Sequence, residues 1–336
     1  MYANMKILIF PSIIALIAGI GVFLWGGAAA LMLFFLLAVL ETTLSFDNAV
    51  VNAKILTRMS EVWQRRFLTW GIFIAVFGTR LVLPVLIVAA AAWLSPIAVV
   101  QLALFDPVHY GEYLQHAHVS IAAFGSAFLF LVSLKYFFND RKTVHWIESV
   151  ERILSRWGGI EAIEIALVLL VLLGASFLAP HEATAILVAG LVGVVLFIVI
   201  QGFADVFESG AEHTADVAAK TSVALFVYLN VLDSAFSLDG VVAAFAITTS
   251  VLIIVAGLGV GALFVRSFTL MLVRAKTLDT LVYLEHGAHY AILGLAIAML
   301  VGIFVQVPEV ITGLVGFVFI ALAYVSSRRE YLKKGA

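Results

Sequence analysis

Apolar residues run along the chain in long blocks, and polar residues gather in the short interruptions between them. The blocks fall near residues 7–25, 31–55, 68–94, 119–138, 161–178, 185–203, 221–247, 251–273, 283–305 and 309–326. At about 20 residues and about 1.5 Å of rise each, a block of this kind crosses a hydrocarbon core of about 30 Å as a helix. The pattern predicts an all-α fold, a polytopic transmembrane bundle of about ten spans. Residues 1–336 read as a single integral membrane domain.

Two blocks break the pattern. Residues 40–50 read LETTLSFDNAV and residues 232–242 read LDSAFSLDGVV. Aligned, Glu41 stands with Asp233, Ser45 with Ser237, Asp47 with Asp239, and Asn48 with Gly240. A carboxylate at the bilayer centre costs about 3 kcal/mol on insertion scales, so chance is a poor account of two such copies. They lie on the second and seventh expected spans and therefore run in opposite directions. That is the signature of an inverted-topology repeat, with a first copy over about 31–138 and a second over about 221–305. Residues 139–160 join them, and 143–157 place Ile147, Val150, Leu154 and Trp157 at helical spacing, which predicts an interfacial amphipathic helix.

At about 100° per residue, Glu41, Ser45 and Asn48 share a helix face while Asp47 points about 120° from Glu41. A straight helix cannot aim both acids at one point. Ser-x-Asp-Asn and Ser-x-Asp-Gly also suit helix starts, so both motif helices are expected to be interrupted there. Glu41, Ser45, Asp47, Asn48, Asp233, Ser237 and Asp239 supply only oxygen ligands, which suits magnesium, calcium or manganese. Crowded carboxylates repel one another, which gives a physical basis for exchanging protons against a cation. The competing reading makes the acids counter-ions of Arg80 and Arg266, which also lie within apolar blocks. Four acids against two arginines leave a negative surplus, which favours the cation site.

Composition narrows the class. The chain is 64% hydrophobic and 12% charged with a net charge of −2, so no basic surface offers itself to a nucleic acid. Its mean hydropathy is +1.15. It has no cysteine, which excludes thiolate sites and disulfides. No nucleotide-binding motif is present to drive a primary pump. Lys6 precedes the first block without a small-residue cleavage site after it, so that block reads as a retained span. Arg58, Arg65, Arg66, Arg141, Lys142, Arg152, Arg156, Arg274, Lys276, Arg328, Arg329, Lys333 and Lys334 all fall on one side of the expected topology, and residues 95–118 contain no Lys or Arg. Both termini are therefore expected in the cytoplasm of a cell whose inner membrane holds the protein.

Several other features compete for chemistry. Glu285, His286 and His289 stand at the start of the ninth block, and the two histidines are one helical turn apart. They read as a gate, a proton relay or a second metal site, together with Arg80 and Arg266, or else as polar packing. The acid precedes the first histidine, so the metalloprotease pattern H-E-x-x-H is not met. His181-Glu182 lacks a second histidine and reads as an external turn. His109, His116 and His118, with Asp106 and Glu112, read as a solvated external loop. Asp205, Glu208, Glu212 and Asp216 form an acidic stripe, a solvated face or a cation-gathering surface. Gly257, Gly259 and Gly261 predict close helix packing.

ETTLSFDNAVV, DSAFSLDGVV, GTRLVLP and YLEHGAHYAI together resemble the TerC family of integral membrane proteins, over roughly residues 30–305. The resemblance is to its longer, ten-span members. It implies manganese efflux, with Glu41, Asp47, Asn48, Asp233 and Asp239 forming the metal path. Gly240 departs from the first motif and removes one ligand. The tellurite-resistance label of that family is a phenotype, and nothing in these residues suggests tellurium chemistry. The expected function is a non-enzymatic secondary transporter exporting a divalent cation, manganese ahead of calcium or magnesium, against protons. The alternative is a membrane scaffold or metal sensor in a stress-response assembly. The lipid bilayer is the expected partner, and homo-oligomerisation stays open.

Overall fold

The structure, a computed structural model, describes residues 2–140, 142–160, 162–208, 215–274, 280–305 and 307–334, and for some helical residues, Asp239 among them, the backbone alone. The acidic stripe over 204–216 lies outside the residues whose side chains are described. All regular structure among the described residues is helical. In chain order the helices are α1 (Tyr2–Leu44), α2 (Phe46–Leu56), α3 (Glu61–Phe73), a π-helical stretch (Ile74–Val82), α4 (Leu83–Ala92), α5 (Pro96–Phe105), α6 (Pro107–His116) and α7 (His118–Phe137). There follow α8 (Glu148–Trp157), α9 (Ile163–Leu178), a short 3₁₀ turn (Pro180–Glu182), α10 (Ala183–Glu208), α11 (Ala215–Ile247), α12 (Val251–Arg274), α13 (Leu284–Gly302) and α14 (Glu309–Lys334).

Seven helices among the described residues are long and apolar enough to cross a membrane, and the pair Glu61–Gly71 with Ile74–Ala90, bent by 43°, brings the number to eight if it is one span. This is a multi-pass helical membrane protein. All ten expected blocks fall on helix, but not as ten separate elements. The first two share α1, whose apolar part, Ile7–Leu44, has 38 residues. Straight, it would be about 57 Å long, nearly twice the hydrocarbon thickness. It is not straight. Gly27 takes φ 71° and ψ −163°, a conformation essentially reserved for glycine. A Cβ built on Gly19 would lie 3.5 Å from both Leu31 and Phe34, so the chain folds back and the arms pack against each other. The fifth block, Ile163–Leu178, is a shorter apolar helix.

Residues 95–118, expected as a loop, are instead largely helical. Ser95 and Asp106 cap α5 and α6, accepting from the N–H groups of Ala98 (3.2 Å) and His109 (3.4 Å), and a proline follows each cap. Cap-then-proline is a helix-start signal that a reading by hydropathy passes over. His109 Nδ1 also pairs with Asp106 Oδ2 at 2.6 Å on an exposed surface.

The chain divides into two interleaved units, residues 1–118 with 210–275, and residues 119–209 with 276–336. Both acidic motifs lie in the first. There α1 packs on α12 at very short range, because Gly257 and Gly261 remove the side chains that would intervene. A Cβ at Gly257 would stand 2.8 Å from Leu37 Cβ, and one at Gly261 would stand 2.5 Å from Glu41 Cβ. In the second unit, α13 and α14 meet in the same way at Gly287, where a Cβ would come within 2.8 Å of the Phe319 carbonyl oxygen. Of the stretch 143–157 expected as an amphipathic helix, only Glu148–Trp157 is helical, as α8; Ile147 precedes it in a non-helical conformation, and Val150, Ile153 and Trp157 are exposed.

Candidate functional site

In the first motif the helix is interrupted at a single residue. Ser45 takes φ −98° and ψ 19° between α1 and α2, yet Ser45 N still bonds Glu41 O (3.1 Å) and Ala49 N bonds Ser45 O (3.2 Å). Ser45 Oγ caps no backbone group. It donates instead to Glu41 Oε1 at 3.2 Å. The second motif differs from expectation: α11 runs unbroken through Ser237–Gly240. Its helix-start residues sit mid-helix, where continuous backbone bonding to the preceding turn outweighs their capping preference.

Continuity of these helices leaves a polar stripe on each. Glu41, Ser45, Asn48 and Asn52 follow one another at steps of four, three and four along α1–α2, and Asn230, Asp233, Ser237 and Gly240 at steps of three, four and three along α11. The stripes meet where Asn48 Nδ2 donates to Asp233 Oδ1 at 2.6 Å. Glu41, Asn48, Asn52, Asn230, Asp233 and Ser237 are all buried. A Cβ on Gly240 would sit 3.5 Å from Glu41 Oε2, so the missing side chain in the second motif leaves space for the first motif's carboxylate.

Each striped acid is met by an arginine from the next expected span. Arg80 Nη2 donates to Glu41 Oε1, and Arg266 Nη2 to Asp233 Oδ2 at 3.1 Å. The internal repeat therefore includes an acid–arginine pair in each copy. Arg80 lies in the π-helical stretch and also donates to the Ala75 carbonyl (2.5 Å). Such stretches are rare and recur at functional sites. Arg266 donates a second bond to the Phe67 carbonyl (2.9 Å) and lies 4.1 Å above the Phe67 ring centroid. Gly71 makes room for this guanidinium, since a Cβ there would fall 2.6 Å from Arg266 Nη1.

Asp47 is buried, and its Oδ1 accepts from the Asn48 N–H at 2.8 Å. Asp239 lies on α11, with its side chain outside the described residues. The structure thus joins Glu41 with Ser45 and Arg80, and Asn48 with Asp233 and Arg266, as two bonded groups. It does not bring three or more acidic or histidine side chains together as a metal-holding group among the described residues. Within the two stripes, however, four described oxygens stay buried without a hydrogen-bond partner: Asn48 Oδ1, Asn52 Oδ1, Asn230 Oδ1 and Ser237 Oγ. Buried acceptors in that state are costly, and unpaired ones in a native protein ask for an explanation. Asn52 and Asn230 were missed by motif reading. Their signal was an amide inside an apolar block, in step with the acid on its own helix.

The second unit holds a separate polar cluster. His286 Nδ1 bonds both Glu151 oxygens (2.9 and 3.1 Å), and Lys142 Nζ pairs with Glu151 Oε2 at 2.7 Å. Glu151 Oε1 also accepts from the N–H groups of Trp146 (3.3 Å) and Ile147 (3.2 Å), tying α8 to its own preceding turn and to α13. His289 is differently engaged: its Nδ1 donates to the Glu285 carbonyl (2.8 Å) and its ring stacks on Tyr136 with centroids 3.7 Å apart. The two histidines thus have different partners, and the polar-packing reading describes their contacts. Glu151, a charged residue on the linker helix, is fully buried. Sequence distance conceals such a partner.

Burial opposes ionisation of Glu151, but His286 and Lys142 outweigh it and hold the carboxyl down to about 2, from 4.5. Burial in turn pulls the Lys142 ammonium below its ordinary value, against the raising effect of Glu151. A depressed acid stabilises the fold fully above its unfolded value and loses that contribution as the pH falls through the folded one. The melting temperature should therefore drop between about pH 4.5 and pH 2. In Glu151→Gln this slope should flatten and stability at pH 7 should fall by about 3 kcal/mol, as for a broken buried pair. Thermal melts across pH check both, and an unchanged slope in the variant would rule out Glu151 as the titrating hub.

No curated protein and no solved structure matches the chain. A family described as "Protein of unknown function (DUF475)" matches residues 46–333, which takes in both arginines, the second motif, α8 and the EHGAH segment. The chain, a multi-pass helical membrane protein with paired acid–arginine motifs, belongs to the DUF475 family.

Proposed function

We propose that the protein is a secondary transporter that exports a divalent metal cation, with manganese favoured over calcium or magnesium, while protons move the other way. One observation carries this reading: two buried stripes of oxygen-bearing side chains, joined at Asn48–Asp233, in which four oxygens have no hydrogen-bond partner. Amide, hydroxyl and carboxylate oxygens are ligands for hard cations, and intramembrane polar residues commonly mark ion paths. By count, the two motifs carry four acids, Asp47 and Asp239 included, against two arginines, a surplus of two negative charges that one divalent cation would match. The TerC resemblance supports the same substrate class, and the one-sided loop arginines support cytoplasmic termini in an inner membrane.

The rival reading is a scaffold or sensor with a structural metal, and the neutralisation of Glu41 and Asp233 by arginines favours it. Flux separates the two. Purified protein in sealed vesicles, with a pH reporter on each side, should move manganese and acidify the compartment that the metal leaves. Saturable binding without flux would support the scaffold. Neither binding nor flux across a panel of divalent metals would sink both.

A further inference from the structure

Both oxygens of Asp233 are occupied, Oδ1 by the Asn48 amide and Oδ2 by Arg266, and Glu41 Oε1 is taken by Arg80 and Ser45. A cation approaching Asp233 Oδ2 would compete with Arg266 for that oxygen and be repelled by its charge. Each arginine has a second anchor independent of its acid: the Ala75 carbonyl for Arg80, and the Phe67 carbonyl and ring for Arg266. A guanidinium released from its carboxylate would therefore remain tethered within reach, on a rigid element. We infer that Arg80 and Arg266 are tethered surrogate cations, holding the two carboxylates when no cargo is bound and yielding them to a divalent cation when it arrives. The inference rests on the transport reading above.

The physical reason is the return step of a carrier. An exporter must bring its cargo-free site back through a low-dielectric interior, and uncompensated carboxylates there are costly. A resident cation on each acid keeps the pair Glu41/Asp233 neutral on that return. The same cations compete with the cargo, so they also weaken its binding and speed its release. A planar fork suits this task, because it can keep its backbone bond while the carboxylate is exchanged. Equivalent placement in both repeat copies is what an alternating mechanism between two repeats would use.

The test is Arg266→Gln in the full-length protein, with manganese as the probe. Relative to wild type, the variant should bind manganese about tenfold tighter, because the competitor is gone. Its melting temperature should depend more strongly on manganese, since the cation now supplies the missing charge. In vesicles, manganese–manganese exchange should persist, while net efflux, which needs the empty return, should fall at least about tenfold. Unchanged or weaker binding, with exchange and net efflux falling together, would overturn the surrogate role and leave Arg266 as a structural counter-ion. Arg80→Gln asks the same question at Glu41 with the same expected results. Should neither variant accumulate, Arg266→Lys keeps the competing charge but loses the fork that holds the Phe67 carbonyl and Asp233 separately, so manganese–manganese exchange should persist while net efflux falls; equal loss of both overturns the inference. Wild type that neither binds nor moves a divalent cation would defeat the transport reading itself. Wild type that transports beside an Arg266→Gln variant of unchanged affinity would defeat only the surrogate role.

Discussion

Asp233→Asn should abolish metal flux and lower stability by about 3–5 kcal/mol, because it leaves Arg266 buried opposite a neutral amide. Arg266 is 3% exposed, so water cannot take over the lost charge. The double variant Asp233→Asn/Arg266→Gln removes both charges together. It should recover most of the lost stability while flux stays absent, since the carboxylate is still missing. Thermal unfolding and vesicle flux on the same preparations make the comparison. Recovery of stability without recovery of flux separates the ligand role of Asp233 from its structural pairing. If Asp233→Asn transports at the wild-type rate, Asp233 is not on the cation path.

A single methyl group at position 261 should have nearly as large an effect. The Cβ of Gly261→Ala would fall 2.5 Å from Glu41 Cβ and 2.9 Å from the Ala38 carbonyl oxygen, so the α1 backbone has to move away from α12. Overpacking of this kind costs about 1–3 kcal/mol. The displaced atom belongs to Glu41 itself, so flux should also fall, by about tenfold or more. Gly259→Ala is the control. Its Cβ would meet a Val76 methyl at 3.1 Å, a side-chain tip that can shift, and should cost under about 1 kcal/mol with flux retained. Equal effects at the two positions would show that packing in general, not the placement of Glu41, limits the protein.

Much of this fold is legible in the chain. In lipid every backbone N–H and C=O must be satisfied within the protein. An unbroken apolar block of about 20 residues does so as a helix, since a barrel strand needs only about 10 residues of alternating pattern. That local constraint explains why all ten expected blocks are helical. The paired motifs were legible for a related reason, because acids and amides inside such blocks are too costly to be incidental. Where hydropathy and capping disagreed, the outcome depended on context. Ser45 yields a break of one residue, Ser237 none, and Ser95 and Asp106 start helices in a stretch expected as a loop, the first of them apolar but too short to span.

Arg80 and Arg266 could be named from the chain as counter-ions, and the structure pairs them with motif acids, but which acid each one meets was not legible. Glu41 meets Arg80 39 positions away, Asp233 meets Arg266 33 away, Asn48 meets Asp233 185 away, and Glu151 meets His286 135 away. Helix periodicity reports which face a residue occupies, but not which other helix faces it. The meeting of α2 with α11 brings Asn48 to Asp233, that of α1 with the π-helical stretch brings Glu41 to Arg80, and that of α8 with α13 brings Glu151 to His286. The sequence by itself therefore determined the helices, the membrane setting and the residues whose burial is costly, since each follows from local transfer energies. The tertiary structure alone decided that the two acids are held by arginines and that amide oxygens are left over beside them, because pairing depends on distances between segments that no local energy specifies.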